Sequence, residues 1–227
     1  MKVVVLLSGG LDSTTCLAKA VKEYGKENVI SFSTRYGQKH DKECQCADRI
    51  ANYYGVEHIT INLEDIMRFS GCSLLKHSGK EIRKADYAEQ TKETGGMPVE
   101  TYVPFRNGLF LSAAASIALS KGAEEIWYGA HRDDAAGAAY PDCSQTFVDK
   151  MDSAIMEGTA SQVRIKAPFV NSNKAGIVRE GLRLGVPYEM TWSCYEGGDK
   201  PCGKCGTCID RAKAFRENGV KDPLEDD

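Results

Sequence analysis

Apolar positions along the chain alternate between two periods. Lys2–Leu7 holds a continuous run of valine and leucine, as a strand buried on both faces requires. Leu11, Cys16, Leu17, Ala20, Val21 and Tyr24 then recur at helical spacing, and Gly25 stands where the helix should stop. Val29–Thr34 reads as a second strand. Lys42–Tyr54 carries Cys46, Ala47, Ile50, Ala51 and Tyr54 on one face and closes at Gly55, before a short third strand, His58–Asn62. After a long interruption, Asn107–Lys121 is helical up to Gly122, and Glu125–Gly129 is a strand. Asp142–Glu157 is helical, Gln162–Phe169 extended, and Lys174–Leu184 helical with Gly185 behind it. Strands separated by helices of this length imply parallel βαβ units with right-handed crossovers. The expected fold is therefore α/β, an open parallel sheet with helices on both faces. Residues 1–190 form the main domain and residues 191–219 a small C-terminal appendage.

The interruption runs from Ser70 to Tyr102, where glycines, Pro98 and many charges replace any periodicity. A structureless stretch of this length is functional or mobile. It reads either as a lid or partner-contacting excursion, or as a poorly ordered surface insertion. The acidic tail after Gly219 is the only other linker-like piece.

Composition narrows the class. A hydrophobic fraction of 42% supports a packed core, and a formal net charge of −3 gives no electrostatic footprint for nucleic acid. The opening apolar run falls far short of the ~20 residues a membrane-spanning helix needs, and it has no signal-peptide cleavage pattern. No membrane and no nucleic-acid partner is expected. Of nine cysteines, Cys194, Cys202, Cys205 and Cys208 crowd together, while Cys16, Cys44, Cys46, Cys72 and Cys143 are scattered. A cluster with scattered singles fits a reducing, cytoplasmic setting and one metal site better than a disulfide frame.

Candidate chemistry begins where the first strand ends. Ser8-Gly9-Gly10-Leu11-Asp12-Ser13-Thr14-Thr15 sits between that strand and the next helix. Glycines there permit a sharp turn that brings backbone N–H groups against a ligand, hydroxyls add donors, and the positive end of the helix dipole faces the same point. This makes an anion site at the carboxyl end of a parallel strand. The Gly-Lys-Ser/Thr ending of a Walker loop is missing, and so is the third glycine of a dinucleotide fingerprint. Asp12 stands either to contact Mg²⁺ or to cap the helix.

The cysteine cluster has the spacing C-x7-C-x2-C-x2-C. Four soft ligands of this kind suit structural zinc, with Gly203 and Gly206 allowing the tight turns and Ile209–Phe215 anchoring the knuckle on a helix. The rival is an iron–sulfur cluster, which would want a further cysteine followed by proline where Ala212 and Lys213 stand. A closed shell of four thiolates leaves no open position for water, so its role is structural.

The Ser-Gly-Gly-Xaa-Asp-Ser hexad resembles the signature of PP-loop ATP pyrophosphatases, whose sheet is of the adenine nucleotide alpha hydrolase type. Val103-Pro104-Phe105-Arg106-Asn107, Tyr140-Pro141-Asp142-Cys143 and Thr191-Trp192-Ser193-Cys194-Tyr195 fall in the order seen in 7-cyano-7-deazaguanine synthases. Tyr36-Gly37-Gln38-Lys39-His40 and Asn173-Lys174-Ala175 are similar too. Two segments depart from that pattern, the alanine-rich Gly129–Tyr140 and the charged loop before Tyr102, and both could reshape a substrate pocket.

The resemblance implies an enzyme that turns 7-carboxy-7-deazaguanine and ammonia into the nitrile, with ATP, Mg²⁺ and Zn²⁺ as cofactors, and a homodimer. It implies that Ser8, Gly9, Gly10, Leu11, Asp12, Ser13, Thr14, Thr15, Cys16, Leu17 and Ala18 form the nucleotide-binding run. Asp12, Ser13 and Arg106 would serve the chemistry, Asp142 and Tyr140 would hold the base, and Cys194, Cys202, Cys205 and Cys208 would hold zinc. Each has a plainer alternative: a surface ion pair for Arg106, a helix cap for Asn107 and for Asp142, no partner for Lys174. His40 and His131 are either ammonia-handling bases or ordinary packing residues. Competing functions are tRNA thiolation by the same adenylation, with Cys72 and Cys143 as spare thiols, the adenylation of a different carboxylate or protein terminus, and a non-catalytic zinc-knuckle binding protein.

Overall fold

The computed structural model describes residues 1–225. Five strands form one parallel sheet in the order β3-β2-β1-β4-β5, with β1 at Val3–Leu6, β2 at Val29–Arg35, β3 at Glu57–Asn62, β4 at Glu125–Trp127 and β5 at Arg164–Lys166. β1 pairs with β2 from Val3↔Val29 and with β4 from Val3↔Glu125, so its valines are walled in on both edges. Val3 and Val5 face a core built from helices α1 (Leu11–Tyr24), α2 (Lys42–Tyr54) and α8 (Lys174–Leu184). Val4 faces the opposite core, built from α5 (Arg106–Lys121) and α7 (Gln145–Gly158). The unbroken apolar run of β1 is thus the run that double-sided burial demands. Short helices α3 (Glu64–Met67), α4 (Tyr87–Glu93) and α6 (Arg132–Ala135) lie in the connections, and α9 (Gly206–Glu217) closes the chain.

Strand order reverses between β1 and β4, because the chain leaves β1 for one face of the sheet and β4 for the other. That opens a crevice above the carboxyl ends of these strands, where open α/β sheets bind ligands.

Three expectations need correction. The helix expected from Asp142 begins at Gln145, and Ser144 is its N-cap, accepting a hydrogen bond from the Phe147 N–H at 3.1 Å. Pro141–Cys143 forms a separate 3₁₀ turn. The stretch from 70 to 102 is not an unattached insertion. Leu74, Leu75, Ile82 and Val99 are buried, Leu75 bridges to Gln38, and α4 is capped by the Asp86 carboxylate. Its apolar residues are too irregularly spaced to show a period, yet most have a place in the core, Met97 being the exposed exception.

The tail after Gly219 is not a linker either. Asp222 folds back into a buried fork with Arg211, at 2.6 and 2.9 Å, and the same guanidinium reaches the Tyr188 carbonyl and the Thr191 hydroxyl. Cys194, Cys205, Cys208 and Phe215 share one apolar cluster with α1 and α8, so the C-terminal segment has no core of its own.

Removing one partner of a buried ion pair strands the other charge. Asp222→Ala should therefore lower the unfolding free energy by about 3–5 kcal/mol in urea titration. Glu225→Ala, at an exposed position, should stay within about 0.5 kcal/mol.

Candidate active site

The loop after β1 keeps its shape through hydrogen bonds of its own. The Ser8 N–H donates to the Ser13 hydroxyl at 3.1 Å, the Thr14 hydroxyl donates to the Gly10 carbonyl at 2.7 Å, and the Ser8 and Ser13 hydroxyls are 3.0 Å apart. Gly9 has φ +85°, and a Cβ there would lie 2.2 Å from the Glu43 carbonyl oxygen and 2.7 Å from the Ala47 nitrogen. The first turns of α2 press directly on the loop. From the other side the Trp192 N–H donates to the Gly9 carbonyl at 3.0 Å. Gly129, just past β4, also approaches the loop, though less closely, since a Cβ there would stand 3.0 Å from the Asp12 carbonyl carbon.

One cavity opens above this loop. Ser8, Gly10, Leu11, Asp12 and Ser13 line it on one side, with Arg106, Lys174, Tyr140 and Asn107 from other elements. The remaining residues of the expected nucleotide run serve otherwise. Gly9 lies beneath the loop, and Thr14 and Thr15 are buried on α1, where Thr15 meets the Tyr188 hydroxyl at 2.9 Å. Cys16, Leu17 and Ala18 are core residues.

Asp12 does not cap α1; Gly10 holds that position. Its Oδ2 stands 3.4 Å from the Lys174 ammonium and 3.7 Å from His131 Nε2, while Oδ1 is buried with no hydrogen-bond partner among the described residues. Burial alone would raise its pKa, but Lys174 and His131 outweigh burial and hold the carboxylate well below the usual range. His131 is buried between Asp12 and Asp134, the latter 3.2 Å away. Burial opposes its charge, yet the two carboxylates raise its pKa. Lys174 is raised in the same way, with Asp12 and Asp134 overcoming desolvation. The unpartnered reading of Lys174 is thereby overturned. His131 is absent from the cavity lining and is buried beneath it, between the two carboxylates. His40 lines the cavity with its ring against Gly197, and burial lowers its pKa.

Arg106 is no surface ion pair. It opens α5 after Phe105, which adopts a left-handed backbone at φ 53°, and its guanidinium donates to the Tyr36 hydroxyl at 3.2 Å. Burial disfavours its charge, and Tyr36 and Asp142 restore it. Asn107 lies inside the helix rather than capping it, and its amide donates toward Cys143 Sγ at 3.3 Å.

Asp142 has a different duty from both readings. It caps no helix of its own, and it does not line the cavity. Its Oδ2 accepts the Asn107 backbone N–H at 2.9 Å, which fixes the first turn of α5 and with it Arg106. Burial pushes its carboxyl up, against the Asn107 N–H and Arg106.

Tyr140 does reach the cavity, within a cluster of phenols. The Tyr87 and Tyr195 hydroxyls are 2.6 Å apart, and Tyr140 lies 3.2 and 3.3 Å from them and 2.6 Å from the Thr101 hydroxyl. This cluster joins α4, the α6–α7 connection and the segment after Cys194. Sequence reading missed Tyr87, Asp134 and Glu43. Glu43 follows the Tyr36–His40 turn on a helix, and only the fold reveals that it lines the same cavity.

The four clustered cysteines bring their sulfurs within 4.8 Å of one another, a set able to hold a metal ion. The Cys202 and Glu196 N–H groups donate to Cys194 Sγ at 3.3 and 3.4 Å, and the Cys205 and Lys204 N–H groups to Cys202 Sγ at 3.3 and 3.4 Å. Such bonds stabilise thiolates, and an all-thiolate tetrahedral set is the donor set of structural zinc.

A parallel sheet with a glycine-serine anion loop at its switch point, flanked by Arg106 and Lys174, defines a nucleotide-binding α/β protein of the PP-loop type. The solved structure of NMN synthetase from Francisella tularensis has a similar fold, with a TM-score of 0.53 at 15% identity over 97% of this chain and 78% of that one. Residues 2–219 match the model of the queuosine biosynthesis protein QueC, and the chain belongs to that family. It is 44% identical to the 7-cyano-7-deazaguanine synthase of Archaeoglobus fulgidus, across 100% of this chain and 91% of the relative. It is 40% identical to that of Psychromonas ingrahamii, across 98% and 96%.

The part given to Asp142 separates two substitutions. Asp142→Asn keeps an oxygen for the Asn107 N–H and should leave turnover within about fivefold and the melting temperature nearly unchanged. Asp142→Ala leaves that buried donor unpaired, costing about 1–3 kcal/mol, and should loosen Arg106 enough to lower kcat. A collapse of activity in the Asn variant with intact stability would instead place this carboxylate on the substrate.

Proposed function

We propose that the protein converts the carboxylate of 7-carboxy-7-deazaguanine into a nitrile with ammonia and ATP, through adenylated intermediates, supplying a precursor of queuosine- and archaeosine-type bases. The observation that carries this reading is the convergence of the anion loop, Arg106 and Lys174 on one cavity, in a chain that matches 7-cyano-7-deazaguanine synthases along its whole length. A carboxylate oxygen is a poor leaving group, so it must first be joined to AMP. Ammonia then displaces AMP to give the amide, and a second adenylation, on the amide oxygen, permits dehydration. Pyrophosphate leaves at each activation. Ser8, Gly10, Ser13 and the first N–H groups of α1 would hold it while charge builds on it, with Arg106 or Lys174 neutralising the adenylate. The protein contributes position and electrostatics rather than a covalent link to the substrate.

Mg²⁺ fits the orphaned Asp12 Oδ1, since this ion takes one or two carboxylates and leaves the rest of its shell to phosphates and water. Bound there, it would neutralise charge on the departing pyrophosphate. Zn²⁺ fits the four thiolates and would hold Ser193 and Tyr195 in the cavity wall, since both line the cavity beside Cys194. Tyr140 and the phenol cluster would face the deazaguanine. A homodimer is expected from the resemblance. A reducing, cytoplasmic setting is expected from the cysteine pattern, one tight cluster with scattered singles; no helix among the described residues is long and apolar enough to cross a membrane.

Incubation with ATP, ammonia and the deazaguanine acid should give AMP and pyrophosphate on fast quenching, two of each per nitrile. ADP and phosphate as first products would refute adenylation, and pyrophosphate release driven by tRNA instead of the acid would move the protein to thiolation. Ser13→Ala should lower kcat by about 10²-fold with little change in melting temperature.

The purified protein should carry about one zinc per chain by elemental analysis and be colourless. Cys202→Ser should lose metal and stability together, because metal affinity at such sites is folding free energy. Cys44→Ser should lose neither. Iron with a brown absorbance band would overturn the assignment of zinc.

A further inference from the structure

Two steps of the proposed reaction leave a proton to be removed from nitrogen. When ammonia bonds to the adenylated carboxyl carbon, the nitrogen becomes cationic and must lose H⁺ as the C–O bond to AMP breaks. The amide sheds its first N–H proton as its oxygen takes up AMP; when the nitrile forms, the O-adenylated species loses its last N–H proton, the N–H electrons become part of the C≡N bond, and AMP leaves with the C–O pair. Both steps need a base in the cavity that is ionised yet not engaged elsewhere.

The groups in and under the cavity separate clearly on that requirement. Asp12 is committed to Lys174 and His131, and Asp134 to His131. His131 is buried between two carboxylates that raise its pKa, and it does not line the cavity. His40 lines the cavity with its ring against the Gly197 backbone and its Nδ1 unpartnered, and burial lowers its pKa, so it is the one rival to a carboxylate base. Of the carboxylates that line the cavity, Glu43 alone has no hydrogen bond or close ion pair among the described residues. It sits in the first turn of α2, whose Glu43 carbonyl presses on Gly9, so its backbone is fixed to the phosphate loop.

We propose that Glu43 is the base of this reaction, accepting the nitrogen proton in both steps and returning it to solvent between them. The assignment rests on the function proposed above. Its surroundings agree with the task. Burial pushes the Glu43 carboxyl up to about 7, with Arg106 opposing, so near neutrality it both accepts a proton and gives it up. The charged or titratable groups facing it are Arg106 of α5, Tyr36 at the end of β2, whose burial takes its phenol up to about 12, and Cys44 on its own helix, which burial also raises. None of these three titrates near pH 7, so a limb of the pH profile there comes from Glu43 or from a histidine in or under the cavity, His40 or His131. The Glu43 variant distinguishes the two.

Adenylation and nitrogen chemistry can be read apart. Exchange of labelled pyrophosphate into ATP, driven by the deazaguanine acid without ammonia, reports adenylation alone and also reports that a variant is folded. Glu43→Gln should keep that exchange within about threefold of wild type while amide and nitrile formation fall by about 10²-fold or more. With free NH₃ held constant, wild-type amide formation should rise with pH through about 7 as the carboxyl ionises, and this limb should vanish in Glu43→Gln. Glu43→Asp should recover part of the rate with the limb intact. A smaller loss, a parallel loss of exchange, or a limb that survives in Glu43→Gln overturns the assignment. Wild-type protein that gives no exchange with the acid overturns the proposed function, and this assignment with it.

Discussion

Everything at the site depends on an approach between backbones that only glycine permits. At Gly9 the end of β1, the start of α2 and the segment before the cysteines meet at contact distance, and a methyl group would collide with the Glu43 carbonyl. Because Trp192 also donates to the Gly9 carbonyl, the loop is clamped from two directions before any ligand arrives. Its N–H groups are thus oriented without help from a phosphate. A preorganised anion site stabilises developing charge with no reorganisation at the moment of reaction.

Charge in the layer below is balanced with equal economy. Asp12, His131, Asp134 and Lys174 form an alternating chain of carboxylates and cations with little exposure to water. Buried charges persist only when paired. Here each carboxylate faces a basic side chain, while the Asp12 Oδ1 is left as an acceptor with no hydrogen-bond partner and the His131 ring nitrogens make no hydrogen bond of their own. The same rule explains the far side of the molecule, where Arg211 and Asp222 bind the last residues to the segment before the cysteines.

How legible this was depends on the type of signal. The strands and long helices follow from periodicity, and the phosphate loop and cysteine knuckle from local spacing, since each is written in consecutive residues. Asp142 shows the limit. A carboxylate after proline reads as a local cap, yet its partner is the Asn107 N–H on another element. Glu43, Asp134 and Tyr87 were illegible for the same reason, since their chemistry arises from neighbours distant in sequence. The stretch from 70 to 102 was opaque because its buried residues follow no helical or strand period. Beyond Gly219 a run of acidic residues hid the one carboxylate that is buried.

The phenol cluster links residue 87 to residues 140 and 195 through hydroxyl contacts of 2.6 to 3.3 Å. On a ribosome residue 195 emerges 108 residues after residue 87. Until it docks, the cavity lacks one side, and the finished loop after β1 faces open water. The order of translation thus delays assembly of the enclosed chamber until the cysteine-bearing segment has been made, long after the loop that it walls in.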